Sequence, residues 1–147
     1  MSKAKDLINE LLVETFNRIL TIEGEALKKE GVKLSMSEVH VLEAVEKLPE
    51  PSMTAISQKL GITPGSLSVA INTLFQKGYV RRYTDNYDRR KVLVALEDKS
   101  KAVLDIHQKF HQHMIDSVFS DLKLGEDEIL IQLLKNVSDY FKRYQIE

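Results

Sequence analysis

The sequence predicts a mainly α-helical fold with one small β-hairpin. Two observations predict it. Apolar residues recur at helical spacing through most of the 147 residues, with start signals at Ser35, Ser52, Thr63 and Asp98. Only Tyr79–Thr84 and Lys91–Leu96 break that period, on either side of the polar run Asp85-Asn86-Tyr87-Asp88-Arg89-Arg90.

Each element follows from local chemistry. From Asp6 to about Lys29, Leu7, Leu11, Phe16, Ile19, Leu20 and Leu27 form a helical stripe, which Ile8, Leu12 and Val13 widen beyond what a small contact requires. Gly31 is the expected stop. Ser35-Met36-Ser37-Glu38 reads as a capping box: the Ser35 hydroxyl accepts from the third backbone amide and Glu38 reaches back. Val39, Leu42 and Val45 give that helix its inner face, and Pro49 and Pro51 end it. Ser52 caps the next helix, with Ile56 and Leu60 inward and Gly61 in the turn. Thr63 then caps a helix whose first position is Pro64, where a missing amide costs little. Leu67, Ile71, Leu74 and Phe75 are its expected inner face, and Gly78 closes it. Lys91–Leu96 is β-branched enough for the second strand. Asp98 is the expected cap of a long helix reaching about Ser120, with Val103, Ile106, Phe110, Met114 and Val118 aligned. After Leu124-Gly125-Glu126, a last helix to about Tyr144 carries Leu130, Leu133, Leu134, Val137 and Phe141. The expected organisation is residues 1–34 as an N-terminal helix, 35–97 as a compact lobe and 98–147 as C-terminal helices.

Composition narrows the class. The chain has no cysteine, which excludes disulfides and thiolate metal sites. The start Met1-Ser2-Lys3-Ala4-Lys5-Asp6 is not followed by a signal-type apolar core, and no stretch approaches the roughly 18 apolar residues of a membrane span, so the expected location is cytoplasmic. Net charge is −1, but cations concentrate in Arg81, Arg82, Arg89, Arg90 and Lys91, whereas acids gather at Glu43–Glu50 and Asp121–Glu128. Where the cations sit matters more than their total.

A short helix, a tight glycine turn and a longer helix form a helix-turn-helix. Burying Leu67, Ile71 and Leu74 leaves Ser66, Ser68, Asn72 and Gln76 outward, short polar groups able to reach base edges in a major groove. Thr63, Pro64, Gly65 and Ser66 form the first turn, where free amides and the helix dipole favour a phosphate. Thr54 and Lys59 on the preceding helix are further phosphate candidates. The hairpin is then a wing that places Arg89 or Arg90 in the electronegative minor groove, with Asp88 orienting an arginine. The full expected fold is a winged helix-turn-helix, and the expected partner is double-stranded DNA.

With its helix-turn-helix and wing residues so arranged, the sequence resembles the MarR family. The likeness is carried by Thr63-Pro64-Gly65-Ser66-Leu67-Ser68, by Leu74-Phe75-Gln76-Lys77-Gly78-Tyr79-Val80, and by Asp88-Arg89-Arg90 followed by Val92–Leu96. One departure is Leu96-Glu97-Asp98-Lys99-Ser100, where that family often has Leu-Thr-x-x-Gly. The resemblance implies a homodimer built by the N- and C-terminal helices, a pseudo-palindromic operator and repression relieved or imposed by an effector. The wide terminal stripes fit dimerisation independently, since they would otherwise stay exposed.

The resemblance also directs attention to Glu23, His40, His107 and His111. His107 and His111 are four apart on one helix and share a face, a spacing zinc ligands use. The set is similar to that of the family's zinc-responsive branch. Leu20-Thr21-Ile22-Glu23 and Phe110-His111-Gln112-His113-Met114 are equally similar to its fatty-acid-synthesis repressors. Zinc, an acyl or other small molecule, and an unassigned effector therefore all stand, with zinc uptake or fatty-acid synthesis as the implied gene classes. His113 lies off the shared face and reads as solvated.

Two other classes compete. An enzyme lacks support: there is no cysteine, no Gly-x-Ser-x-Gly and no phosphate-cradling glycine loop. A winged-helix module used only for protein contacts is the alternative, and the arginines between Arg81 and Lys91 argue against it.

Overall fold

The computed structural model describes residues 2–120 and 123–144, so Asp121, the start of the second acidic stretch, lies outside the described residues. The chain divides into two compact units, Met1–Phe110 and His111–Glu147.

The first unit opens with α1 (Lys3–Glu10), a π-helical turn (Leu11–Thr15) and α2 (Phe16–Lys29). One regular helix was expected here. A π turn takes in an extra residue and so rotates the succeeding helix by roughly 100°. That rotation is the physical counterpart of the broad stripe in which Leu11, Leu12 and Val13 are consecutive. The core begins only at Leu27, which is buried.

α3 (Met36–Lys47) starts at the Ser35 box as expected: Ser35 Oγ accepts from the Glu38 amide at 3.2 Å, and Glu38 Oε1 accepts from the Ser35 amide at 3.1 Å. α4 (Met53–Leu60) is capped by Ser52, and α5 (Pro64–Gln76) by Thr63. Gly61 joins them at φ 66°, a left-handed conformation that side chains with a Cβ resist. β1 (Val80–Thr84) pairs antiparallel with β2 (Val92–Leu96), in the register Val80↔Leu96 to Thr84↔Val92. The Val94 amide donates to the Pro51 carbonyl at 2.9 Å, and Leu93 bridges Ser52, so the hairpin is pinned beside the start of α4. α6 (Asp98–Phe119) comes next, and its first half belongs to this unit.

Leu27, Val39, Leu42, Ile56, Leu67, Ile71, Leu74, Val80, Val94, Val103 and Leu104 make one buried cluster. Helices α2 to α6 and both strands thus share a core within the first unit. Two expectations need correction. Phe75 is 52% exposed rather than inward. Leu74 fills the inner position, and Phe75, one residue on, lies outside with its ring centroid 5.6 Å from the Arg82 guanidinium carbon. Asp98 is the first residue of α6 rather than its cap, and its exposed carboxylate pairs with Lys101 at 3.4 Å.

The second unit holds the remainder of α6 and α7 (Glu128–Arg143), capped by Asp127. Along α7, Ile129, Leu133, Leu134, Tyr140 and Phe141 are all exposed. No described helix is long and apolar enough to cross a membrane.

Candidate nucleic-acid interface and a buried carboxylate–imidazole cluster

The outward face of α5 is polar because every third or fourth residue is spent on the core. Leu67, Ile71 and Leu74 are fully buried, while Ser66, Ser68, Asn72 and Gln76 are exposed. In the first turn, Thr63 Oγ1 accepts from the Ser66 amide at 3.1 Å and donates to Ser66 Oγ at 3.0 Å. The two hydroxyls are therefore engaged with each other, whereas Ser68 is exposed two residues further on. Gly65 is exposed beside Pro64, so a ligand can approach that turn closely. Thr54, in the first turn of α4, and Lys59, in its last, are both exposed.

The wing turn is organised by its aspartates. Asp85 Oδ1 accepts from the Tyr87 amide at 2.7 Å. That hydrogen bond, opposed by slight desolvation and aided by the Asp88 amide and Lys91, holds the Asp85 carboxyl below its usual range. Asp88 Oδ1 accepts from the Arg90 amide at 3.0 Å and lies 3.6 Å from Arg90 Nε. The Arg90 side chain is 97% exposed, and Arg89 is exposed too. Lys91 reaches Glu50 at 2.5 Å, which ties the base of the wing to the loop after α3.

The two strand arginines diverge. Arg81 pairs with Glu97 at 3.4 Å. Arg82 donates from Nη2 to Asn72 Oδ1 and lies over Phe75. The sequence pattern placed Arg82 in the basic cluster but gave it no separate role, because its partners are set by strand register.

Away from this surface, the first unit buries an ionisable cluster. Glu23 on α2 and His107 on α6 are 3% and 4% exposed, with His107 Nε2 3.9 Å from Glu23 Oε1. His107 Nδ1 lies 2.7 Å from Glu43 Oε1, although that buried oxygen makes no well-aligned hydrogen bond. His40 is half-buried, its ring 6.3 Å from that of His107. Ligand atoms of His40, Glu43 and His107 lie within 4.8 Å of one another. Contact with His107 is the main cause holding the Glu43 carboxyl below its usual range, against burial; His107, Lys47 and His40 charges add to it. Of the four residues expected from the sequence, Glu23 and His40 each approach His107 within the first unit, and the ligand atoms that converge there are those of His40, Glu43 and His107. His111 is half-buried and belongs to the second unit. Glu43 was missed because it reads as part of the acidic Glu43–Glu50 run. Its signal was its spacing: three residues after His40, it faces the same side of α3. His113 is exposed, and its carbonyl accepts from Ser117 Oγ. A small cleft lined by Ser37, His40, Val41, Leu60, Ile62, Ser66 and Ala70 runs between α3 and the α4–α5 pair.

A core-anchored helix-turn-helix followed by an arginine-tipped hairpin defines a winged helix-turn-helix. Residues 34–92 match the MarR family model, and the chain has a winged-helix fold. It is similar to FabT of Streptococcus pneumoniae, solved in complex with DNA, at 27% identity and a TM-score of 0.81, covering 94% of this chain and 97% of that one. It is also similar to the transcriptional regulator BldR of Sulfolobus solfataricus, at 25% identity and a TM-score of 0.70, covering 95% and 99%. Among curated proteins it is 33% identical over 85 residues to YwaE of Bacillus subtilis, an uncharacterized HTH-type transcriptional regulator, covering 57% of this chain. The matches span 49% of YwaE, 60% of YwhA and 64% of YkoM, short of two thirds of each.

Proposed function

We propose that the chain is a DNA-binding transcriptional regulator, a binding protein rather than a catalyst, acting in the cytoplasm. The observation that carries the reading is the pairing of an exposed polar α5 face with a projecting cationic wing. Ser66, Ser68, Asn72 and Gln76 are the proposed groove-facing residues. Thr54, Lys59 and the Thr63–Gly65 turn are the proposed phosphate contacts. Arg89 and Arg90 are the proposed minor-groove residues, with Asp88 holding Arg90. The DNA complex of FabT supports this reading.

We further propose a homodimer on a pseudo-palindromic operator, with its two reading helices one helical turn apart. Exposed apolar side chains on α1 and the π turn (Leu7, Leu11, Leu12 and Val13), and separately on α7, support it. In this reading the protein is a repressor under effector control. Its proposed targets are genes of zinc uptake or fatty-acid synthesis, on the branch likenesses of its sequence.

For the effector, the buried cluster favours a metal ion. Imidazole nitrogen and carboxylate oxygen suit zinc, and His40, Glu43 and His107, whose ligand atoms converge, would hold it, with Glu23 beside His107 as a further candidate. An ion there would neutralise buried carboxylates and link α2, α3 and α6. A small apolar molecule in the Ser37–Ala70 cleft is the second reading, favoured by that cleft's contact with the first turns of α5.

Mobility shift on random duplex DNA at several salt concentrations tests the core proposal. Arg89→Ala combined with Arg90→Ala should weaken binding at least tenfold and flatten the salt dependence. Identical behaviour of the two proteins removes the wing from the interface. Absence of any salt-sensitive binding by the unaltered chain removes the function.

A further inference from the structure

We infer that Arg82 is a positioning residue that fixes which chemical face Asn72 presents to DNA, making Asn72 a reader of acceptor edges; this rests on the DNA-binding reading above. Asn72 is exposed on α5, one turn beyond Ser68. Arg82 leaves β1 and donates from Nη2 to Asn72 Oδ1. Its guanidinium carbon is held 5.6 Å from the Phe75 ring centroid, and this stacking accounts for an exposed phenylalanine beside the reading face.

A guanidinium has donors only, so the atom of Asn72 that meets it is the carbonyl oxygen, and the amide nitrogen faces away. Adenine is normally read by asparagine through both atoms, the oxygen accepting from N6 and the nitrogen donating to N7. With Oδ1 turned to Arg82, Asn72 offers the groove a donor. The edges that suit a donor are guanine, with O6 and N7, and thymine, with O4; adenine keeps its N7 acceptor, but its N6 donor then lacks the asparagine oxygen that normally accepts from it. The neighbouring Arg81 cannot substitute, since it is turned to Glu97. The wing strand thus sets the base preference of the reading helix without touching a base.

The test is selection from a random duplex library at fixed salt, using the full chain and three variants. The unaltered chain should enrich guanine or thymine at one position of each half-site. Arg82→Ala should free the carboxamide and move that one position toward adenine by about tenfold in relative preference. Arg82→Lys, which keeps a donor, should retain most of the original preference. Asn72→Asp leaves Arg82 its acceptor but turns an acceptor outward, so the position should move to cytosine, whose N4 donates. An Arg82→Ala profile with unchanged base identities, or a loss spread evenly over all sequences, overturns the inference and leaves Arg82 a phosphate contact. Failure of the unaltered chain to bind any duplex overturns the DNA-binding reading itself and this inference with it. Circular dichroism melts of each variant separate these outcomes from misfolding.

Discussion

Lys77 Nζ lies 3.3 Å from Glu38 Oε2, and this contact ties the C-terminal end of α5 to the capping box of α3. Lys77 also donates to the Lys33 carbonyl at 3.2 Å. The helix expected to enter DNA is therefore fixed at its C-terminal end by a carboxylate that already has a second task. Burial alone would raise the Glu38 carboxyl. The Ser35 amide, the Lys77 ammonium and the Ser35 hydroxyl together outweigh it and hold the group below its ordinary value of 4.5.

The sign of that displacement gives the first prediction. A carboxyl lowered in the folded state contributes stability that is present above its unfolded value and is lost as pH falls through the folded one. Glu38→Gln keeps an acceptor for the Ser35 amide but removes the charge facing Lys77. We expect a loss of roughly 0.5 to 1 kcal/mol at pH 7, because Lys77 is partly solvated. The difference should shrink as pH falls below the ordinary value of 4.5 and through the lowered folded value. Urea melts at pH 7, 5 and 3.5 check it, and a constant difference across all three would be inconsistent with the ion pair.

The two faces of α5 should separate stability from recognition. Leu74 is fully buried, so Leu74→Ala should cost about 2 to 5 kcal/mol. Ser68 is exposed, so Ser68→Ala should change stability by less than about 0.5 kcal/mol. The same Ser68→Ala chain should bind its selected duplex more weakly. Thermal melts beside mobility shifts distinguish the two faces, and equal effects on both readouts would refute the division.

Much of this fold was legible because its signals are local. The Ser35 box, the Ser52 and Thr63 caps and the Gly61 turn each depend on neighbours three or four residues away, and each stands where the pattern put it. The inner face of α5 was legible through Leu67, Ile71 and Leu74, but not at Phe75. Only the register that brings Arg82 across from β1 explains an aromatic ring at the surface. The π turn was hidden for a similar reason, since no glycine or proline marks Leu11–Thr15. Glu43 was masked by the acidic run it opens; its spacing from His40 was local, but its contact with His107, far along the chain, was not.

The buried cluster yields a prediction about zinc. Protein purified without a histidine tag should bind zinc in calorimetric titration, and its melting temperature should rise with zinc concentration. His107→Ala should abolish both effects, because His107 is the member nearest to Glu23 and Glu43 alike. Glu43→Gln should weaken binding if that carboxylate is a ligand, and leave it unchanged if only Glu23 serves. Unaltered melting at saturating zinc would transfer the effector role to the apolar cleft.

The last prediction concerns the apolar side chains that the first unit leaves uncovered. Leu11 is 55% exposed and Leu12 45%, consecutive residues on a turn whose helical register has just shifted. A soluble monomer has no use for such a band, because exposed apolar patches promote association. Leu11→Glu together with Leu12→Glu puts two like charges into whatever covers it, and unpaired charge is costly in an apolar interface. Light scattering should then report a shift from twice the single-chain mass of 16.8 kDa toward that mass. Neither residue belongs to the buried cluster around Leu27 and Leu42, so far-ultraviolet circular dichroism should still show a helical chain. DNA affinity should fall steeply, since a single lobe engages one half-site rather than two. A variant that stays dimeric would assign the contact to other residues, and one that is monomeric yet binds DNA unchanged would separate recognition from dimerisation altogether.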